Sequence, residues 1–156
     1  MGVIVIPCVG KKLEHAAPAS EMYQSQFFKA LSTFCKNSGL PWYINSAKYG
    51  LLHPDEVIEP YNLAVKHNDN MKRSSKPLPP LVDKEEFLER QKQAARMLEP
   101  MENRIYLMSK AYCQLLPPAR KPFSGKIWLG QVKLAHQLAR GEVTAVDLLI
   151  AYGEVA

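Results

Sequence analysis

Val3-Ile4-Val5-Ile6-Pro7-Cys8-Val9-Gly10-Lys11-Lys12 decides the reading of this chain. Four β-branched residues in a row offer no polar face to solvent, so they suit a strand covered on both sides, as in a parallel sheet. A proline ends the run, and a glycine-containing turn with two lysines leads away from it. Two later runs repeat the pattern. Pro41-Trp42-Tyr43-Ile44-Asn45 runs into Ser46-Ala47-Lys48-Tyr49-Gly50-Leu51-Leu52, and Arg104-Ile105-Tyr106-Leu107-Met108 runs into Ser109-Lys110-Ala111-Tyr112. Between the first two, Tyr23, Phe27, Ala30, Leu31 and Phe34 recur at helical spacing, predicting a helix that lays an apolar stripe on one sheet face. Asn37-Ser38-Gly39 supplies its stop. The expected fold is α/β, a three-layer sandwich with a small, mainly parallel central sheet flanked by helices, in a single domain over residues 1–156.

A second helix is predicted from Asp83 to Leu98, with Asp83, Glu85 and Glu86 at its positive end, Lys92 and Arg96 later, and Pro100 beyond. Leu129 to Arg140 repeats the pattern through Val132, Leu134, Ala135 and Leu138, and Asp147 to Tyr152 reads as a short terminal helix opened by Thr144. Residues 66–80, rich in Asn, Ser, Pro and Lys, read as a basic loop.

Composition narrows the class. The 156 residues are 47% hydrophobic and 22% charged, as expected of a globular chain rather than a disordered one. No run approaches the ~20 apolar residues of a membrane helix, and the opening lacks a basic leader, so no membrane association is expected. Three cysteines without a close pair suggest neither a disulfide framework nor a zinc site, and a cytoplasmic, reducing location follows. The four histidines show no metal spacing, and no Walker or dinucleotide fingerprint is present, so neither a metal nor another cofactor is expected. A net charge of +5 permits a polyanionic partner without requiring one.

Open α/β sheets bind ligands where loops converge at the carboxyl ends of their strands. Here those ends carry Cys8, Lys11 and Lys12, then Ser46, Lys48 and Tyr49, then Ser109, Lys110 and Tyr112. Three lysine-bearing ends make an anion pocket for a phosphate or a nucleic-acid backbone, although lysines also solvate loop ends without other duty. Gly50 to Tyr61 reads as a turn, a short amphipathic segment and a proline stop. Its carboxylates Asp55, Glu56 and Glu59 are expected near Ser46 and Lys48, where one can hold water as a base or stabilise a cationic sugar. Spacing alone favours the plainer reading of them as the acidic start of an exposed helix. Cys8, Cys35 and Cys113 read more readily as packed residues than as nucleophiles, and Tyr49, Tyr61 and Trp128 can stack on a base or fill a core.

The Pro-Cys-x-x-x-Lys pattern at Pro7 to Lys12, the run Ser46 to Leu52 and the acidic segment ending in Glu59-Pro60-Tyr61 resemble a bacterial and phage domain of unknown function. The last two are also similar to the YaaA peroxide-stress family. More distantly, the layout resembles uracil-DNA-glycosylase-like and archaeosine-synthase-like domains. The resemblance implies an α/β sandwich acting on DNA or a nucleobase. It marks Cys8, Lys11, Lys12, Ser46, Lys48, Tyr49, Asp55, Glu59 and Tyr61 as motif positions. Met108-Ser109-Lys110 departs from the small residues expected there, and 66–80 is longer and more basic than expected.

The leading expectation is an enzyme that cleaves or exchanges the N-glycosidic bond of a base in DNA. Lys11, Lys12 and Lys48 would grip phosphates around a flipped nucleotide, with Tyr49 or Tyr61 stacked on its base. Asp55 or Glu59 would stabilise the sugar or activate water, or Lys48 would attack C1′ as an amine. Cys8, Ser46, Ser109 and Lys110 would complete the substrate-binding shell. The alternatives are a non-catalytic DNA-binding stress protein and an enzyme for a free nucleotide.

Overall fold

The computed structural model describes residues 2–8, 11–65, 67, 69–101, 104–108, 115–117, 137 and 140–141. The expectations for Ser109, Lys110, Cys113, Trp128 and the terminal helix lie outside the described residues, as does almost all of the helix expected at Leu129 to Arg140. In chain order the elements are β1 (Val3–Pro7), β2 (Ala17–Pro18), α1 (Ala19–Met22), α2 (Gln26–Ser38), β3 (Trp42–Ser46), β4 (Gly50–Leu52), β5 (Val57–Ile58), α3 (Asp69–Arg73), α4 (Lys84–Leu98) and β6 (Arg104–Tyr106).

The main sheet has the order β4-β3-β1-β6. β1 runs parallel to both neighbours, pairing Ile4 with Trp42 on one side and Ile105 on the other, while β4 is antiparallel to β3. As β1 alternates, Ile4 and Ile6 face a core with Phe28, Leu31 and Phe34 of α2. Val3 and Val5 face a second core with Ala94 and Leu98 of α4. That alternation is the physical content of the unbroken apolar run: each face of the strand has its own helix to cover it. The result is the expected mixed α/β layering around a mainly parallel sheet.

Local chemistry sets the helix limits. The Ser25 hydroxyl accepts from the Phe28 amide at 3.1 Å and opens α2, and Gly39 closes it at φ 73°. The Asp83 carboxylate accepts from the Glu86 amide at 3.0 Å to open α4. At the other end of α4, Arg104 Nη1 donates to the carbonyls of Leu98, Glu99 and Met101, placing a cation against the negative pole of the helix. Tyr23 lies before α2 rather than on it, yet it is buried with the stripe and bridges to Lys12.

Three features correct the expectations. Gly50 to Leu52 is an edge strand, not a turn; only the following Pro54 and Asp55 form one. Gly50 has φ 75°, and a Cβ there would stand 3.2 Å from Arg90 Cβ of α4, so this glycine serves both conformation and close approach. Second, Ala17–Pro18 and Val57–Ile58 pair as a separate antiparallel ribbon, so the carboxylates of this region do not begin a helix. Third, the basic 66–80 segment contains the short helix α3 and is tied at its base, where the Ala64 amide donates to Pro80 O and the Val82 amide to Ala64 O.

The α4 layer is also anchored by a polar pair. Asn45 and Gln91, both fully buried, exchange amide hydrogen bonds of 3.1 and 2.9 Å. Gln91→Leu deprives Asn45 of both, so stability is expected to fall by about 1–3 kcal/mol, read by urea unfolding. A neutral result would mean that this pair does not hold α4 to the sheet.

Candidate active site at the ends of β1 and β3

β1 and β3 are parallel neighbours, so their carboxyl ends release Cys8 and Ser46 side by side. The Cys8 amide donates to Asn45 O at 3.3 Å, and the Ala47 amide donates to Cys8 Sγ at 3.2 Å, locking the two strand exits together. Ser46 Oγ accepts from the amides of Lys48 and Tyr49 at 3.2 and 3.1 Å. With both lone pairs engaged, the Ser46 hydroxyl donates to Tyr61 Oη, 2.7 Å away. Tyr61 Oη is in turn 2.8 Å from Tyr23 Oη. Burial comes first among the causes that push both tyrosine hydroxyls well above their ordinary range, with the nearby Cys8 second. Both therefore stay protonated at neutral pH and act as neutral hydrogen-bonding groups.

Over this chain of hydroxyls sits a cation. Lys12 Nζ lies 4.4 Å from the Tyr61 ring centroid and 5.8 Å from that of Tyr23. Its backbone is held by the bridge to Tyr23 and flanked by the Leu13 amide to Met22 O bond and the Gln24 amide to Lys11 O bond, at 2.9 and 2.7 Å. Desolvation lowers the Lys12 pKa, opposed by charge on Cys8. Tyr49 meets Tyr61 edge-on at 5.6 Å, its hydroxyl donates to Glu59 O at 3.2 Å, and Lys48 Nζ lies 5.2 Å from its ring centroid.

The structure thus brings together Cys8, Lys12, Ser46, Tyr49 and Tyr61, with Lys48 and Glu59 exposed beside them and Lys11 exposed next to Lys12. Asp55 does not join them. Because β4 runs back against β3, Leu52 is level with Ile44, and the chain reaches His53 beside Tyr43 before Asp55. Asp55 therefore lies toward the amino end of β3, away from Ser46, and its place as a catalytic partner of Lys48 is corrected on that ground. Tyr23 is the member of this cluster that sequence reasoning missed. Its signal was a hydroxyl-bearing ring on an otherwise apolar stripe. Among the described residues no three His, Cys, Asp or Glu side chains group to hold a metal ion, and no helix is long and apolar enough to cross a membrane.

Burying Lys12 has a measurable signature. With a folded pKa below the unfolded value of 10.5, the unfolded chain binds more protons between the two, so this residue's contribution rises with pH through that window. Lys12→Met is expected to stabilise the protein at pH 7, with the advantage shrinking as pH approaches 10. A variant less stable than the parent at pH 7 would show that Lys12 is a structural cation.

A family described as a family of unknown function (DUF6884) matches residues 3–139. No curated protein and no solved structure matches the chain.

Proposed function

This chain belongs to the family of unknown function DUF6884, and from that premise we propose that it is an enzyme cleaving or exchanging the N-glycosidic bond of a base in DNA, at the strand ends of β1 and β3. One observation carries the reading: a partly desolvated Lys12 amine held over the buried Tyr23 and the half-buried Tyr61, at the edge of the sheet where α/β folds take their ligands. The likeness of the Ser46 to Leu52 and Glu59-Pro60-Tyr61 motifs to the YaaA family, and of the layout to glycosylase-like domains, points the same way. The buried free thiol of Cys35 accords with a reducing cytoplasm.

In this mechanism Lys12, rather than the exposed Lys48, is the reacting amine. Desolvation lets more of it stand neutral than an ordinary surface lysine, and the neutral form is the nucleophile. The Nζ lone pair attacks C1′ while the C1′–N bond breaks. The base leaves with the bonding pair and gains a proton, and Nζ yields its own proton to water. The nitrogen lone pair then opens the sugar to a C1′ iminium, O4′ taking up a proton from water. Water hydrolyses the iminium to the aldehyde and free amine, or O4′ recloses on C1′ with loss of that proton and an incoming base displaces Nζ. Tyr49 stacks on the base, Lys11 and Lys48 meet flanking phosphates, and the Glu59 carboxylate stabilises positive charge on the sugar.

The deciding experiment is base release. Duplex and single-stranded DNA carrying normal, deaminated, oxidised and hypermodified bases is incubated with the protein, with free base scored by mass spectrometry and abasic sites by alkaline breakage. Release from one substrate class is the expected result. No release from any, together with binding that weakens steeply with salt and ignores base identity, would replace the enzyme with a non-catalytic DNA-binding protein.

A further inference from the structure

At the other end of β3 a half-open cleft of about 270 Å³ is lined by Ser20, Lys36, Trp42, Tyr43, His53 and Asp55, and the proposed reaction uses none of it. Three separate elements build it. Lys36 comes from the last turn of α2, Trp42 and Tyr43 begin β3, and His53 precedes and Asp55 belongs to the turn after β4. That turn is held in place. The Ser20 amide donates to Pro54 O at 2.9 Å, the Ala19 amide to Glu56 O at 2.7 Å, and the Glu56 amide to His53 O at 3.1 Å. The Asp55 amide donates to His53 Nδ1 at 3.1 Å, so in the neutral ring the proton sits on Nε2. The His53 ring stands edge-on to Tyr43, 6.1 Å between centroids.

The lining combines three kinds of group that a nucleotide needs together. Half-buried aromatic faces at Trp42 and Tyr43 offer stacking to a base. Lys36 offers an ammonium to a phosphate. Asp55 offers a carboxylate, an acceptor for the exocyclic amino group that cytosine, guanine and adenine carry and that thymine and uracil lack. We propose that this cleft is a second nucleotide subsite, selective for a base with an exocyclic amino group, in which Trp42 stacks, Asp55 reads the amino group and Lys36 holds the phosphate. Its position supplies a reason for two sites. Trp42 and Ser46 are four residues apart on one strand, about 13 Å at 3.3 Å per residue, a distance that a short single strand of nucleic acid spans. The proposal rests on the nucleotide class of the substrate and is independent of bond cleavage at Lys12.

Tryptophan emission of the full chain tests it, titrated with GMP, CMP, AMP and TMP and with five-nucleotide single strands. GMP, CMP and AMP are expected to quench saturably, with TMP weaker by about tenfold or more. In Trp42→Phe the quench should vanish, in Asp55→Asn the preference over TMP should collapse, and Lys36→Met should weaken GMP more than guanosine. A strand binding at least about tenfold tighter than GMP identifies nucleic acid as the source, and equal affinity identifies a free nucleotide. No quench by any nucleotide or strand overturns the subsite, as does a quench that persists in Trp42→Phe or an unchanged preference in Asp55→Asn. The two sites fail separately: Asp55→Asn should keep base release at Lys12, and Lys12→Ala should keep the Trp42 quench.

Discussion

Lys12→Ala is expected to eliminate any DNA adduct trapped by borohydride and to lower base release by about 100-fold or more, the range carried by a group acting directly in proton transfer or bond making. The argument is geometric before it is electrostatic. Lys12 Nζ is the cation stationed over Tyr61 and Tyr23, whereas Lys48 is exposed, with its Nζ 5.2 Å from the centroid of the outer ring, Tyr49. Borohydride reduces the C1′ iminium to a stable secondary amine, so the trapped species reports which nitrogen reacted. Lys48→Ala should therefore keep the adduct and lose only affinity, with a weaker dependence on salt. If Lys48→Ala abolishes the adduct and Lys12→Ala does not, the reacting amine has been misassigned. Circular dichroism and a thermal melt of Lys12→Ala guard against a trivial loss by unfolding, and a folded variant is expected because removing a partly desolvated ammonium relieves a cost.

Phe28→Ala is expected to destabilise the protein by about 3–5 kcal/mol, the cost of truncating a fully buried aromatic. At roughly 2–4 °C per kcal/mol for a chain of this size, the melting point should fall by roughly 6–20 °C. Phe28 has no exposed surface, and its ring lies 4.9 Å from that of Tyr23, tilted by 51°. Its loss therefore leaves a cavity behind one wall of the site as well as in the core. Near the melting point activity should fall with folded fraction; well below it, in a protein still folded, any residual loss reports displacement of Tyr23. A drop under about 1 kcal/mol would mean that the α2 core refills the space, contrary to the packing described.

β1 was legible because a run apolar on every residue can be satisfied only by cover on both faces, α2 because its apolar stripe recurs at helical spacing, and α4 because its charges follow the helix dipole from Asp83 to Arg96 before Pro100. β2, β4 and β5 were not. Two or three residues carry no periodicity, and Gly50-Leu51-Leu52 has the composition of a turn until the antiparallel pairing to β3 and the close pass of Arg90 give the glycine its task. The same reversal displaced Asp55. Counting residues from Ser46 suggests proximity, yet a strand folded back along β3 spends those residues returning to the far end. Glu59 comes back to the site because the chain turns again through β5, bringing Glu59 O to the Tyr49 hydroxyl.

Lys12, Ser46 and Tyr49 could be named in advance, since polar residues directly after buried strands must gather at one edge of a parallel sheet, and Tyr61 through the motif ending in Glu59-Pro60-Tyr61. Which of them form a single chemical unit could not. The order Ser46 to Tyr61 to Tyr23 joins residues 15 and 38 positions apart, and only packing places them within 2.8 Å. Tyr23 read as core because its ring is core; its hydroxyl acquires a partner only when Tyr61 arrives from beyond β5. Local pattern thus dictated the layers and the site's edge, because burial and periodicity are properties of neighbouring residues. The membership and protonation of the cluster were settled by tertiary contact, because desolvation and hydrogen bonding depend on groups that the chain brings together from afar.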